Sequence, residues 1–264
     1  MIALLTALVC TALAQASTVL GTEPVAVGNE RSLLRWVESF DNSPEQLVCR
    51  PIVELPGALL CAAANMNRMN SVFARISMFA EGIYGSKRGE VSEFGTKPYL
   101  TAMAFAGGHD LRGPVVSAFF SEVERQCQGN PRICLSKEEE SFRSQVVHPI
   151  SMVNPNFVVL AVSAEVSEDL PLLLSHELWH AAFFLNDGYR ASVYAYWKTL
   201  QAQEQARIRK ALSATYDSSD EELMVNEFQA HLLQKDGHES ILAAFHARHF
   251  PKLKKIADKL RIKF

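Results

Sequence analysis

The sequence predicts a mostly helical α+β domain with a small sheet packed against one buried helix. Three observations carry that expectation. Several segments repeat apolar residues at helical spacing, and the short run Phe157-Val158-Val159-Leu160-Ala161-Val162 has the β-branched, apolar character of a strand. Directly after it comes a segment that is apolar on every helical face. With 264 residues the chain is long enough for one substantial core. Its 48% hydrophobic and 21% charged residues exclude disordered, collagen-like and coiled-coil classes. A net charge of -3 gives no general reason to expect a nucleic-acid partner.

Residues 1–16 read as a signal peptide. Met1 to Leu13 carry no charge, and Ala14-Gln15-Ala16 supplies small residues where a signal peptidase reads them. This run is too short to span a bilayer comfortably. The expected product is a secreted or periplasmic chain beginning near Ser17, with no stable membrane span.

Residues 17–150 form the expected N-terminal part of the domain. Ser17 to Asn29 is short, small and Gly-containing, and reads as a loosely held arm. Glu30 to Phe40 has helical spacing through Leu33, Leu34, Trp36, Val37 and Phe40, whereas Leu47 to Ala64 mixes strand-like runs with Pro and Gly. Asn65 to Ile83 is expected as a helix, and Gly85 to Lys97 as an exposed loop. After Gly107-Gly108 and Gly113-Pro114, Val115 to Cys127 is again helical. The uncharged window from Val146 to Ala164 contains His148, Pro149, Asn154, Pro155 and Asn156, so it reads as a loop feeding the strand.

Without Cys10 in the leader, Cys49, Cys61, Cys127 and Cys134 remain, an even set with three possible pairings. Cys127 and Cys134 bracket the turn sequence Gln128-Gly129-Asn130-Pro131, and Cys49 and Cys61 flank Pro51 and Pro56-Gly57. Disulfides Cys49-Cys61 and Cys127-Cys134 are expected; a structural zinc site is the rival reading, against which the spacing of both pairs speaks.

Residues 151–264 hold the motifs. Helices are expected at about Leu170 to Leu185, begun by Ser167, Glu168 and Asp169, then Tyr189 to Ala214 and Asp220 to Gln234. A basic stretch with Arg248, Lys252, Lys254, Lys255, Lys259, Arg261 and Lys263 reads as a solvated amphipathic helix. The first of these helices carries His176-Glu177-Leu178-Trp179-His180, an H-E-x-x-H pattern. Histidines four apart project from one helix face and can share a metal ion, while Glu177 beside them can deprotonate a metal-activated water. Two histidines and a carboxylate in an otherwise apolar helix are costly to bury unless something pairs them. A catalytic metal of this kind needs a third protein ligand. The metzincin extension is excluded, because Phe183 and Asn186 stand where its Gly and third His belong. Glu227, in Asn226-Glu227-Phe228-Gln229-Ala230-His231, lies on an apolar stripe and is the expected third ligand, a buried salt bridge being its alternative.

H-E-x-x-H on one helix and N-E-x-x-A on a later one resemble the zincin metallopeptidases of the gluzincin type. The resemblance covers roughly Phe157 to Gln234. It implies a zincin-like fold with a small sheet on the active-site helix and one Zn2+ per chain held by His176, His180 and Glu227. Glu177 is the implied general base in hydrolysis of peptide or protein substrates. In that family a strand before the active-site helix aligns the peptide with its edge, and Phe157 to Val162 stands in that place. The 47 positions between His180 and Glu227 exceed the thermolysin-like spacing and hold a whole extra helix.

His231, Tyr216 and Asn226 are candidates to support the ligands or to donate to the developing oxyanion, with Tyr189, Tyr194 and Tyr196 also in reach. A solvent-facing amide is the bland reading of Asn226. His109, His148, His238, His246 and His249 are expected on surfaces or loops, and Trp179, Phe183 and Phe184 in the core. The alternative function is a non-catalytic zincin-fold protein that binds metal or a partner, a role that needs no Glu177.

Overall fold

A computed structural model describes residues 17–21, 23–28, 30–42, 46–105, 107–166 and 170–262. The leader and the expected helix start at Ser167, Glu168 and Asp169 lie outside the described residues. Five strands, β1 (Ser17–Leu20), β2 (Gln46–Pro51), β3 (Ala58–Ala63), β4 (Gly108–Arg112) and β5 (Val158–Ser163), form one mixed sheet in the order β1-β2-β3-β5-β4. β1 runs parallel to β2 and β3 to β5, whereas β2 pairs antiparallel with β3 and β4 with β5.

Between the strands lie α1 (Glu30–Glu38), α2 (Met66–Glu81), α3 (Lys97–Phe105), α4 (Gly113–Cys127), α5 (Lys137–Phe142) and α6 (His148–Val153). After β5 the chain is helical: α7 (Leu170–Leu185), α8 (Asp187–Lys198), α9 (Ala202–Leu212), α10 (Glu221–Leu233) and α11 (Ala243–Lys259). The expectation of a mostly helical α+β chain with a small sheet is met. Among the described residues no helix is long and apolar enough to cross a membrane.

Strand side chains alternate between two faces, and this divides the core. Leu60, Ala62, Val158, Leu160 and Val162 pack with α7, α8, α10 and α11, while Leu59, Cys61, Val159 and Ala161 pack with α2 and α4. Every residue of β3 and β5 is buried, which is why both read as continuous apolar runs.

Local sequence sets the ends of the helices that matter. Asn65 begins α2 by accepting from the Arg68 amide at 2.8 Å, and Asp220 begins α10 by accepting from Leu223 at 3.1 Å. Both expected disulfides are formed: Cys49–Cys61 joins directly paired residues of β2 and β3, and Cys127–Cys134 closes the loop after α4. Arg75 of α2, 1% exposed, reaches that loop through the carbonyls of Ile133 and Cys134 and pairs with Glu139 at 3.1 Å.

Several expectations are corrected. Ser17–Leu20 is a strand rather than a loose arm, because its backbone completes a parallel ladder beside β2. His148–Val153 is helical within the expected loop, because it continues without a break from α5 through the π-helical stretch Arg143–Val147. The expected helix from Tyr189 to Ala214 is two, broken around Leu200, with the Gln205 side chain donating to the Trp197 carbonyl at 2.9 Å. The expected loop gives way to α3 at Lys97, and the glycine-punctuated stretch after it contains β4. The strand at Phe157 to Val162 is no edge: β3 and β4 occupy both its sides, so the edge strand near α7 is β4.

Candidate metal centre

Positions four apart on α7 place His176 and His180 on one face, with their Nε2 atoms 2.9 Å apart. α10 packs across them and brings Glu227 to the same point. Its Oε2 lies 3.6 Å from His176 Nε2 and its Oε1 3.6 Å from His180 Nε2. Two contacts lock the helix pair: Trp179 Nε1 donates to the Leu233 carbonyl at 2.9 Å, and Gln229 donates to the Trp179 carbonyl at 3.2 Å. Ala230, fully buried and small, permits the close approach.

These residues fit a small divalent ion. Donors bonded tetrahedrally to zinc at ~2.0–2.1 Å stand about 3.3 Å apart, close to the 3.6 Å separations seen here. The ligand atoms of His176, His180 and Glu227 all lie within 4.8 Å of one another. Glu227 Oε2 is buried without a hydrogen-bond partner, a costly state for a carboxylate unless a cation meets it.

Electrostatics agree. Burial, aided by the neighbouring His180, holds His176 down to about 3, and burial holds His180 down to about 4. Both imidazoles are therefore neutral, the form that binds metal. Burial pushes Glu227 and Glu177 well above the usual carboxylate range, with Asp110 and Glu81 adding like charge to both. A divalent cation would reverse that balance by favouring the ionised carboxylates.

Glu177, 6% exposed, shares a cavity of about 130 Å³ with His176, His180, Glu227, Asp110, Glu81 and Tyr216. β4 forms one wall. A Cβ on Gly108 would come within 2.8 Å of Glu177 Oε1 and 2.9 Å of Leu173 Cδ1, so any larger residue here would displace those two side-chain ends. Asp110 enters from β4 as well, and Asp110, Glu177 and His180 form a second convergent group of possible ligands. On the same strand, His109 is held between Ser77 at 2.6 Å and Asn70 at 2.8 Å, which ties β4 to α2. A larger cavity of about 660 Å³ lies elsewhere, bounded by Leu33, Trp179, His246 and Phe250, and holds none of the three convergent side chains.

The structure thus brings His176, Glu177, His180 and Glu227 together. Tyr216 lines the cavity beside the Glu227 carboxyl. His231 Nε2 is 3.6 Å from Glu227 Oε2 but does not line the cavity. Asn226 is buried, not solvent-facing; it adjoins His180 and accepts from Gln229 at 3.2 Å. The other three tyrosines the sequence offered are engaged away from the cavity: Tyr189 donates to Gln229, Tyr196 bonds His249, and Tyr194 packs on Phe183, whereas Tyr84 lines it. His109 and His249 are buried rather than on the surface, each held by a hydroxyl. Trp179 and Phe183 are core residues as expected, and Phe184 is half-buried.

Sequence reasoning missed Asp110, Glu81, Gly108 and Gln234. The last accepts from His176 Nδ1 at 2.8 Å. Only the His-Asp-Leu-Arg alternation of β4 carried a readable signal, and the glycines before it masked the strand. Compared with known proteins, the chain matches no family model, no curated protein and no solved structure.

Proposed function

We propose that the chain is an exported zinc metallopeptidase, similar to the gluzincin-type zincins, that hydrolyses peptide bonds in peptide or protein substrates. The observation that carries this reading is the convergence of His176, His180 and Glu227 beside the buried Glu177. Zinc, when bound, polarises the scissile carbonyl and acidifies the attacking water. Glu177 takes that water's proton on its carboxylate and returns it to the leaving amine. A substrate backbone pairs with the outer edge of β4, whose Gly107 and Gly108 line the cavity that holds Glu177. Tyr216, on the cavity wall beside Glu227, donates to the developing oxyanion.

The test pairs metal content with cleavage. Purified parent protein is expected to carry stoichiometric zinc, and Glu227→Ala much less. On a peptide library, Glu177→Gln is expected to keep its zinc while losing about 10²–10⁴-fold in rate. A zinc-loaded parent that cuts no library member would leave the non-catalytic metal-binding reading.

A further inference from the structure

We propose that Gln234 is the positioning residue of the metal ligand His176, fixing the tautomer that leaves Nε2 free to bind zinc. This rests on the metal site proposed above. Gln234 ends α10, is 8% exposed, and has its own amide hydrogen bonded to the Ala230 carbonyl at 2.9 Å. Its side-chain Oε1 meets His176 Nδ1 at 2.8 Å. A carboxamide oxygen can only accept, so Nδ1 must carry the hydrogen and Nε2 must present its lone pair. That lone pair faces the point shared with His180 Nε2 and Glu227 Oε2.

A second contact fixes the same stretch of α7. The Lys235 amide donates to the Ser175 hydroxyl at 2.9 Å, so consecutive residues after α10 hold consecutive residues of α7. Asn226 lies near His180, but His180 Nδ1 has no hydrogen-bond partner, so only His176 has its tautomer fixed in this way. α10 therefore supplies Glu227 and, at its end, the amide that holds His176. That amide is uncharged. A neutral partner orients the imidazole without the added basicity that a carboxylate gives it, which leaves the ion a stronger Lewis acid.

The experiment measures zinc dissociation constants of the full chain by chelator competition, for the parent, Gln234→Leu and Gln234→Glu. Thermal melts of the metal-free proteins run alongside. Leucine removes the acceptor and is expected to weaken zinc by about 10–100-fold. Glutamate keeps an acceptor for Nδ1–H and adds charge, so it is expected to bind at least as tightly as the parent. A residue that merely ends α10 would give losses of the same size in both variants, and that result overturns the proposal. So does a folded Gln234→Leu protein that binds zinc within about twofold of the parent. If leucine prevents folding, tight binding by Gln234→Glu supports the proposal and weakened binding refutes it. A parent that binds no zinc would instead remove the metal site itself.

Discussion

His109 shows how far a side chain's surroundings can depart from its local sequence. It follows two glycines and precedes an aspartate, yet it is 3% exposed and held down to about 3 by burial. The unfolded chain takes up this proton below about 6.5 while the fold refuses it. Stability from His109 is thus intact above that value and lost as pH falls from 6.5 towards 3, by up to about 1.4 kcal/mol per unit. His109→Gln removes the titration, so its melting temperature should fall less steeply with acidification than the parent's. Equal slopes in a pH series of melts would show that the imidazole is not buried neutral. Within the candidate site, His176, Glu177, His180 and Glu227 were legible because charge inside apolar helices is conspicuous. Gln234 was not: a glutamine at a helix end has the same local pattern whether it meets water or a ligand.

For β4, the packing against α7 makes a sharper prediction than its sequence did. Gly108→Ala would press on Glu177 Oε1 and Leu173, both flexible side-chain ends. Stability should therefore change by no more than about 1–3 kcal/mol, whereas displacement of Glu177, the proposed base, should cost about 10²-fold in the proposed peptide hydrolysis. Unchanged turnover with an unchanged melt would place the working carboxylate elsewhere. The same strand explains why part of the fold escaped the sequence. β5 and β3 are buried on both faces and announce themselves as apolar runs, while β4 buries only His109 and Leu111 and carries Asp110 at the cavity and Arg112 paired with Glu222. The break between α8 and α9 has no Gly or Pro to mark it. β1 owes its conformation to its neighbour β2, which no local pattern reports.

Across the molecule, the buried polar cluster sits where α7 and α10 meet and so bears on stability as a whole. Without a cation, Glu227 and Glu177 are forced towards their protonated forms and Glu227 Oε2 lacks a partner. An ion bound only by the fold at a thousand times its dissociation constant adds about 4 kcal/mol. For a domain of this size that corresponds to a melting temperature roughly 10 °C higher than that of the chelated protein. Titrating zinc into chelated protein during thermal melts checks this. A melting temperature indifferent to zinc, with the protein folded throughout, would argue that nothing binds there.

The place of β5 has a consequence for how the chain reaches its fold. β3 and β5 pair residues 58–63 with residues 158–163, 100 positions later, and β5 then separates β3 from β4. The hairpin of β2 and β3, with its own disulfide, can close on local contacts alone, and α2 and α4 can form beside it. The centre of the sheet cannot, because the strand that fills it is synthesised last of the five. Such long-range closure makes for slow folding. Until β5 arrives, β3 and β4 each present an open edge, and α7 and α10, which carry the three candidate ligands, lack the sheet face they pack on. The candidate metal centre therefore assembles only after the sheet is closed, and a chain interrupted before residue 158 would leave a partly built sheet with unpaired strands, prone to associate with its neighbours.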